Sequence, residues 1–133
     1  MVEFKASHRF APISARKARR VADLIRGLPV NRALTVLDRS PQRGAALLGK
    51  VVRSAVANAE SMAEIDPNHL HVSLAWVDEG PLKGGHIRWR PAARGRAMPY
   101  RKRTSHLNVT LATAATITPA AQPAAETAET EEG

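Results

Sequence analysis

From Pro81 to His106 the chain carries eight Lys or Arg residues, two His and no Asp or Glu. The cations are Lys83, Arg88, Arg90, Arg94, Arg96, Arg101, Lys102 and Arg103. Pro81, Pro91, Pro99, Gly84, Gly85 and Gly95 are spread through the same stretch. Its apolar residues are too few to build a core, and like charges at this density repel one another. The segment therefore has to project from whatever core the rest of the chain forms. It gains a reason to order when a polyanion neutralises it, and nucleic acid is the polyanion that fits best.

The charge balance elsewhere supports this. The net charge is +8 over 133 residues, but the segment from Pro119 onward holds four Glu and no Lys or Arg. The first 118 residues thus set 20 basic against 8 acidic side chains. An excess of that size favours nucleic acid over small anionic substrates. There is no Cys, which excludes disulfides, thiolate catalysis and Cys-type zinc sites. Met1–Phe10 lacks the apolar run of a secretory signal, and no window reaches the ~20 apolar residues of a membrane span. The expectation is a cytoplasmic protein with no membrane partner.

Hydropathy patterning places the elements. Residues 2–11 alternate, with Val2, Phe4, Ala6, His8 and Phe10 on one side, so a strand is expected up to Pro12. Ser14 is a good N-cap for a first helix whose Ala18, Val21, Ala22 and Ile25 share a face, with Gly27 as its stop. Arg16, Lys17, Arg19 and Arg20 fill most of the remaining surface of its early turns. A second helix is expected from a cap near Asn31, with Val30, Ala33, Leu34 and Leu37 together. Ser40-Pro41 reads as the cap and first position of a third helix reaching about Ala63. Its stripe is Ala45, Leu48, Val52, Ala55, Ala59 and Met62. Asp66-Pro67-Asn68 is a turn.

Leu70, Val72, Leu74 and Trp76 then alternate with polar or small residues, as do Leu107, Val109 and Leu111. Both read as half-buried strands, and Trp76 reads as core. They flank the basic segment, so the simplest join is an antiparallel hairpin with a reach of about 40 Å. The fold class is α+β: three helices packed on a small antiparallel three-stranded sheet with a long protruding β-hairpin. The division is a single domain over 1–112, with a globular base at 1–80 and 104–112 and an extended hairpin at 81–103. Residues 113–133 form an acidic Ala/Pro/Glu-rich tail expected to be disordered.

Catalytic patterns are missing. Ser105 and His106 are adjacent, so on a strand they point to opposite faces and cannot act as nucleophile and base. Asp78 and Glu79 have the same difficulty. His69 and His71 could share a strand face, but a pair of this kind more often lies exposed beside a turn. Gly84-Gly85 lacks the strand-before, helix-after context of a phosphate loop. No catalytic residue, metal site or cofactor is expected.

Arg presents a planar fork of donors suited to phosphates and base edges. Trp89 and Tyr100 sit among the arginines and could stack on unpaired bases. Ala92, Ala93 and Gly95 would let backbone approach a partner closely. Two separate basic surfaces, helix and hairpin, suit a large folded RNA better than a regular duplex groove. The rival is a DNA-architectural protein with an intercalating β-arm, Pro91 or Pro99 acting as the wedge.

Longer motifs carry a family resemblance. They are Ile13-Ser14-Ala15-Arg16-Lys17-Ala18-Arg19, Val21-Ala22-Asp23-Leu24-Ile25-Arg26-Gly27, Ser54-Ala55-Val56-Ala57-Asn58-Ala59-Glu60, Val77-Asp78-Glu79-Gly80-Pro81, Gly95-Arg96-Ala97 and Arg101-Lys102-Arg103-Thr104-Ser105-His106. In this order they closely resemble the bacterial large-subunit ribosomal protein family numbered twenty-two, over about residues 5–111. The resemblance implies a structural, non-catalytic protein that binds large-subunit ribosomal RNA and aids subunit assembly. It also implies a hairpin lining the peptide exit tunnel, with neighbouring ribosomal proteins and the nascent polypeptide as further partners. Carried over by position, Arg88, Trp89, Arg90, Pro91, Ala92, Ala93, Arg94 and Gly95 would lie at or near the tip. Lys83, Arg94, Arg96, Arg101, Lys102 and Arg103 would hold RNA along the arms, and Arg16, Lys17, Arg19 and Arg20 at the base. The sequence departs from the family pattern between Leu82 and Arg90, about three residues longer than usual and containing Gly84-Gly85-His86. Either the tip extends further or one arm carries a bulge.

Overall fold

A computed structural model describes residues 2–113. In chain order the elements are β1 (Glu3–Ala11), α1 (Ala15–Ile25), α2 (Val30–Arg39), α3 (Arg43–Ala63), β2 (Leu70–Leu82), β3 (Arg88–Pro91), β4 (Ala97–Tyr100) and β5 (Arg103–Thr113). One antiparallel sheet has the order β1–β5–β2, and β3 and β4 form a separate two-stranded ribbon. The three helices cover one face of the three-stranded sheet, as the α+β pattern requires. Thr113 ends β5, so the strand runs one residue into the expected tail. The rest of that tail lies outside the described residues.

Helix α1 buries Ala15, Ala18, Val21, Ala22 and Ile25 and turns its cations outward. Gly27 follows with φ +79, a left-handed conformation that glycine adopts without steric cost. Its N–H donates to the Val72 carbonyl at 2.8 Å, and the Val72 N–H donates to Leu28 at 2.9 Å. The exit of α1 is thereby stitched to β2. Helix α3 supplies Ala45, Leu48, Val51, Val52, Ala55 and Ala59 to the core. A side chain at Gly44 would press on Ile13 and Val21 at 3.2 and 3.3 Å, so a residue without Cβ sets the spacing between α3 and α1.

Two helix starts differ from the sequence reading. Helix α2 begins at Val30 after Pro29, not after an Asn31 cap; the Asn31 amide instead donates to Asn68 at 2.6 Å. Ser40 does not open α3. Its N–H closes α2 on the Val36 and Leu37 carbonyls at 3.1 and 3.3 Å, and α3 starts at Arg43 after Gln42. A Ser-Pro pair serves either end of a helix, and here the preceding helix claims it. Met62 is 79% exposed, and the last buried residue of α3 is Ala59.

Two bulges explain the remaining differences. In β2, Val72 pairs with Leu111 but Leu74 pairs with Thr110, so Ser73 is an extra residue. The insertion exchanges the faces of everything after it. Ala75 and Val77 point into the core, while Leu74 and Trp76 stand outward, 50% and 41% exposed. Trp76 is therefore not core; its indole N–H donates to Asp78 at 3.2 Å. In β1, Arg9 and Phe10 together oppose His106, which turns Phe10 out and Ala11 in. Val2 is exposed and precedes the strand. His71 is buried on β2 while His69 sits in the preceding 3-10 turn, so the pair shares no strand face.

Leu48 is fully buried. Leu48→Ala is expected to cost about 2–5 kcal/mol of stability, and Trp76→Ala about 1 kcal/mol or less. Urea unfolding followed by circular dichroism measures both.

Candidate nucleic-acid interface

The basic hairpin grows directly out of the core sheet. Past Glu79↔Ser105 the β2–β5 register shifts once more, Gly80 and Pro81 together facing Thr104, before Leu82 pairs with Arg103. Gly80 lets the strands close here, since a Cβ at that position would sit 2.6 Å from the Thr104 hydroxyl. That hydroxyl donates to the Pro81 carbonyl. Beyond Leu82 the arms are unequal: residues 83–87 face only residues 101 and 102. The Lys83 N–H still donates to Lys102 at 2.8 Å, and Gly84 and Gly85 absorb the excess at φ +79 and +76. Of the two outcomes left open by the sequence, the arm carries the bulge.

Past this step the ribbon resumes, with Arg88↔Tyr100, Trp89↔Pro99, Arg90↔Met98 and Pro91↔Ala97. The Ala92 N–H donates to Arg96 at 2.7 Å and closes the end turn. Arg94 and Gly95 at its apex are both left-handed, φ +59 and +66. Of the residues assigned to the tip, Arg88–Pro91 form β3, and Ala92, Ala93, Arg94 and Gly95 belong to the turn. Trp89 is 62% exposed. Tyr100 is half-buried beneath the Arg90 guanidinium, 4.3 Å from the ring centroid.

Arg16, Lys17, Arg19 and Arg20 line the exposed side of α1. Arg19 differs from the others: its Nε and Nη2 donate to the Val77 carbonyl at 3.2 and 3.1 Å. Arg26, which sequence reasoning did not single out, donates to Ala75 at 2.7 Å. These two side chains clamp α1 to β2, and nothing in the sequence distinguishes a clamp from an exposed cation. The fold also joins what the sequence treats as two basic surfaces. Arg16 of α1 and Arg103 of the hairpin line one cleft of about 360 Å³ with Ser14, Glu79, Gly80 and Thr104. Ion pairs among the described residues involve Lys5, Arg26 and Arg53. None of the hairpin cations, nor Arg16, Lys17 or Arg20, pairs with a carboxylate there.

Comparison with known proteins bears directly on this arrangement. The family model described as "Ribosomal protein L22p/L17e" matches residues 6–112. The chain belongs to that family. It is similar to the large ribosomal subunit protein uL22 of Bdellovibrio bacteriovorus, 46% identical over 110 residues, covering 83% of this chain and 97% of the relative. It is likewise similar to uL22 of Pelotomaculum thermopropionicum, 47% identical over 108 residues, 81% of this chain and 93% of the relative. The family is one of ribosomal structural proteins working in the bacterial cytoplasm, in agreement with the non-catalytic reading of the sequence.

Because Leu82 and Arg103 are paired, a two-residue Asn-Gly turn can bridge them. Replacing residues 83–102 in this way is expected to leave the base folded, with a cooperative thermal transition. Arg19→Ala is expected to lower stability by about 1 kcal/mol through its lost hydrogen bonds, and Arg16→Ala by about 0.5 kcal/mol or less. Denaturant midpoints separate the two.

Proposed function

We propose that this chain, a structural constituent of the large ribosomal subunit, binds large-subunit ribosomal RNA through α1 and the extended hairpin, aids folding of that RNA during assembly, and lines the peptide exit tunnel with the hairpin end. The observation that carries this reading is the row of hairpin cations with no carboxylate partner among the described residues, meeting Arg16 of α1 at the hairpin root. Cations left unsatisfied by their own fold are satisfied by phosphate, with release of the counterions that phosphate holds. The hairpin end, with Ala92, Ala93, Arg94 and Gly95, is the part furthest from the base and the part expected to meet the nascent polypeptide. Neighbouring ribosomal proteins would contact the base.

Affinity for a large-subunit rRNA transcript is expected to fall steeply between low and high salt. Arg96→Gln and Arg103→Gln should each weaken it and flatten the log–log slope by about 1. Filter binding across a salt series reads both. A salt-independent affinity, or equal affinity for random duplex DNA, would overturn the proposal. A photo-cross-linker at position 94 is expected to capture nascent chain in translating ribosomes.

A further inference from the structure

Phe10 combines an unfavourable backbone conformation with an exposed ring. Its φ of +57 lies in the left-handed region, uncommon for a bulky residue, and its side chain is 54% exposed. The bulge in β1 that turns it outward is the kind of irregularity that re-aims a side chain. Three contacts then fix the ring. The Phe10 N–H donates to His106 Nδ1 at 3.0 Å, so that imidazole carries its proton on Nε2 when neutral. The two rings meet edge to face with centroids 4.9 Å apart. The Arg9 guanidinium lies over the Phe10 ring at 5.5 Å.

The remaining ring surface lines an open depression of about 560 Å³ at the hairpin root. Its other walls are Pro12, Pro81, Leu82, Gly84 and Gly85, with Lys83 and Thr104 at its polar margin. Among the described residues, no carboxylate lines it. We infer that this depression takes one unpaired nucleobase of the bound RNA, stacked on Phe10 and walled by Pro81 and Leu82, with Lys83 and Arg9 on the flanking phosphates.

A flat ring, apolar walls and cationic margins together match a base on its phosphodiester backbone. An aliphatic protein anchor would use the apolar walls but would gain nothing from the cations. Stacking on an aromatic face is tolerant of base identity, so the site contributes affinity and register more than sequence selection. The inference rests on the RNA-binding reading above and adds a contact that charge alone does not supply.

The test uses the full chain and a large-subunit rRNA transcript. Phe10→Leu keeps an apolar side chain but removes the stacking face. Phe10→Gly removes the ring at a backbone position that glycine adopts readily. Both are expected to keep a cooperative thermal transition and to lose about 5- to 100-fold in RNA affinity, with the salt slope unchanged. Phe10→Trp should bind at least as tightly as the native protein, and in a background with Trp76→Phe and Trp89→Phe its indole fluorescence should be quenched on binding. If Phe10→Leu binds like the native protein while Arg103→Gln binds weakly, the base-stacking site falls and the RNA-binding reading stands. If Phe10→Leu keeps RNA affinity but reconstituted subunits lose a neighbouring protein, the depression holds a protein side chain and the inference is wrong. If the native protein fails to bind the transcript, both fall.

Discussion

The antiparallel ladder between β2 and β5 is the interaction on which the rest of the molecule depends. β5 is the central strand, paired with β1 on one side and β2 on the other. Near its C-terminal end its Leu107, Val109 and Leu111 are buried under the helices. At its N-terminal end the same strand leaves the core and becomes an arm of the hairpin. One set of backbone hydrogen bonds therefore anchors the base and aims the projection. An isolated ribbon of this length is marginal in water. Rooting it in a three-stranded sheet under three helices supplies the fixed end it lacks.

Most of the architecture was legible because two periodicities are written plainly into the chain. The stripe Ala45, Leu48, Val52, Ala55 and Ala59 is buried as expected, and so are Ala18, Val21, Ala22 and Ile25. Strands were harder, because a period of two is reversed by a single inserted residue. Nothing about Ser73 announces an insertion, yet it moves Trp76 from the core to the surface. The Arg9–Phe10 bulge does the same to Phe10. The extra length of the hairpin arm was legible, but whether it lengthened the tip or bulged the arm was not; Gly84 and Gly85 take it up with left-handed backbone. Helix boundaries failed where one residue suited two roles, as Ser40 does.

The basic side chains divide by what they touch, and composition alone cannot make that division. Arg19 and Arg26 spend donors on the carbonyls of Val77 and Ala75 and so belong partly to the base. Arg53 pairs with Asp38 at 2.8 Å, and both are largely exposed, which makes their contribution to stability small. Among the described residues, the hairpin cations have no such hydrogen bonds or ion pairs. Their mutual repulsion works against compaction, so the fold tolerates them only where the chain leaves the core.

The unequal arms add a mechanical consequence. A continuous ladder from Val77 to the end turn would behave as one twisted ribbon whose end is aimed by the core. The step at residues 83–87, opposite 101 and 102, breaks the ladder into two sheets joined by the Lys83–Lys102 hydrogen bond and two glycines. The inner part is aimed by the core; the outer part is a separate sheet that the core ladder does not hold. Two left-handed glycines at the step and left-handed Arg94 and Gly95 at the apex concentrate the adjustable backbone at two points. The ribbon between them can then stay paired while its course adjusts at those two points. Under the proposed RNA-binding function, the ordering cost of that segment would be met outside the protein, by the phosphates that neutralise its charge.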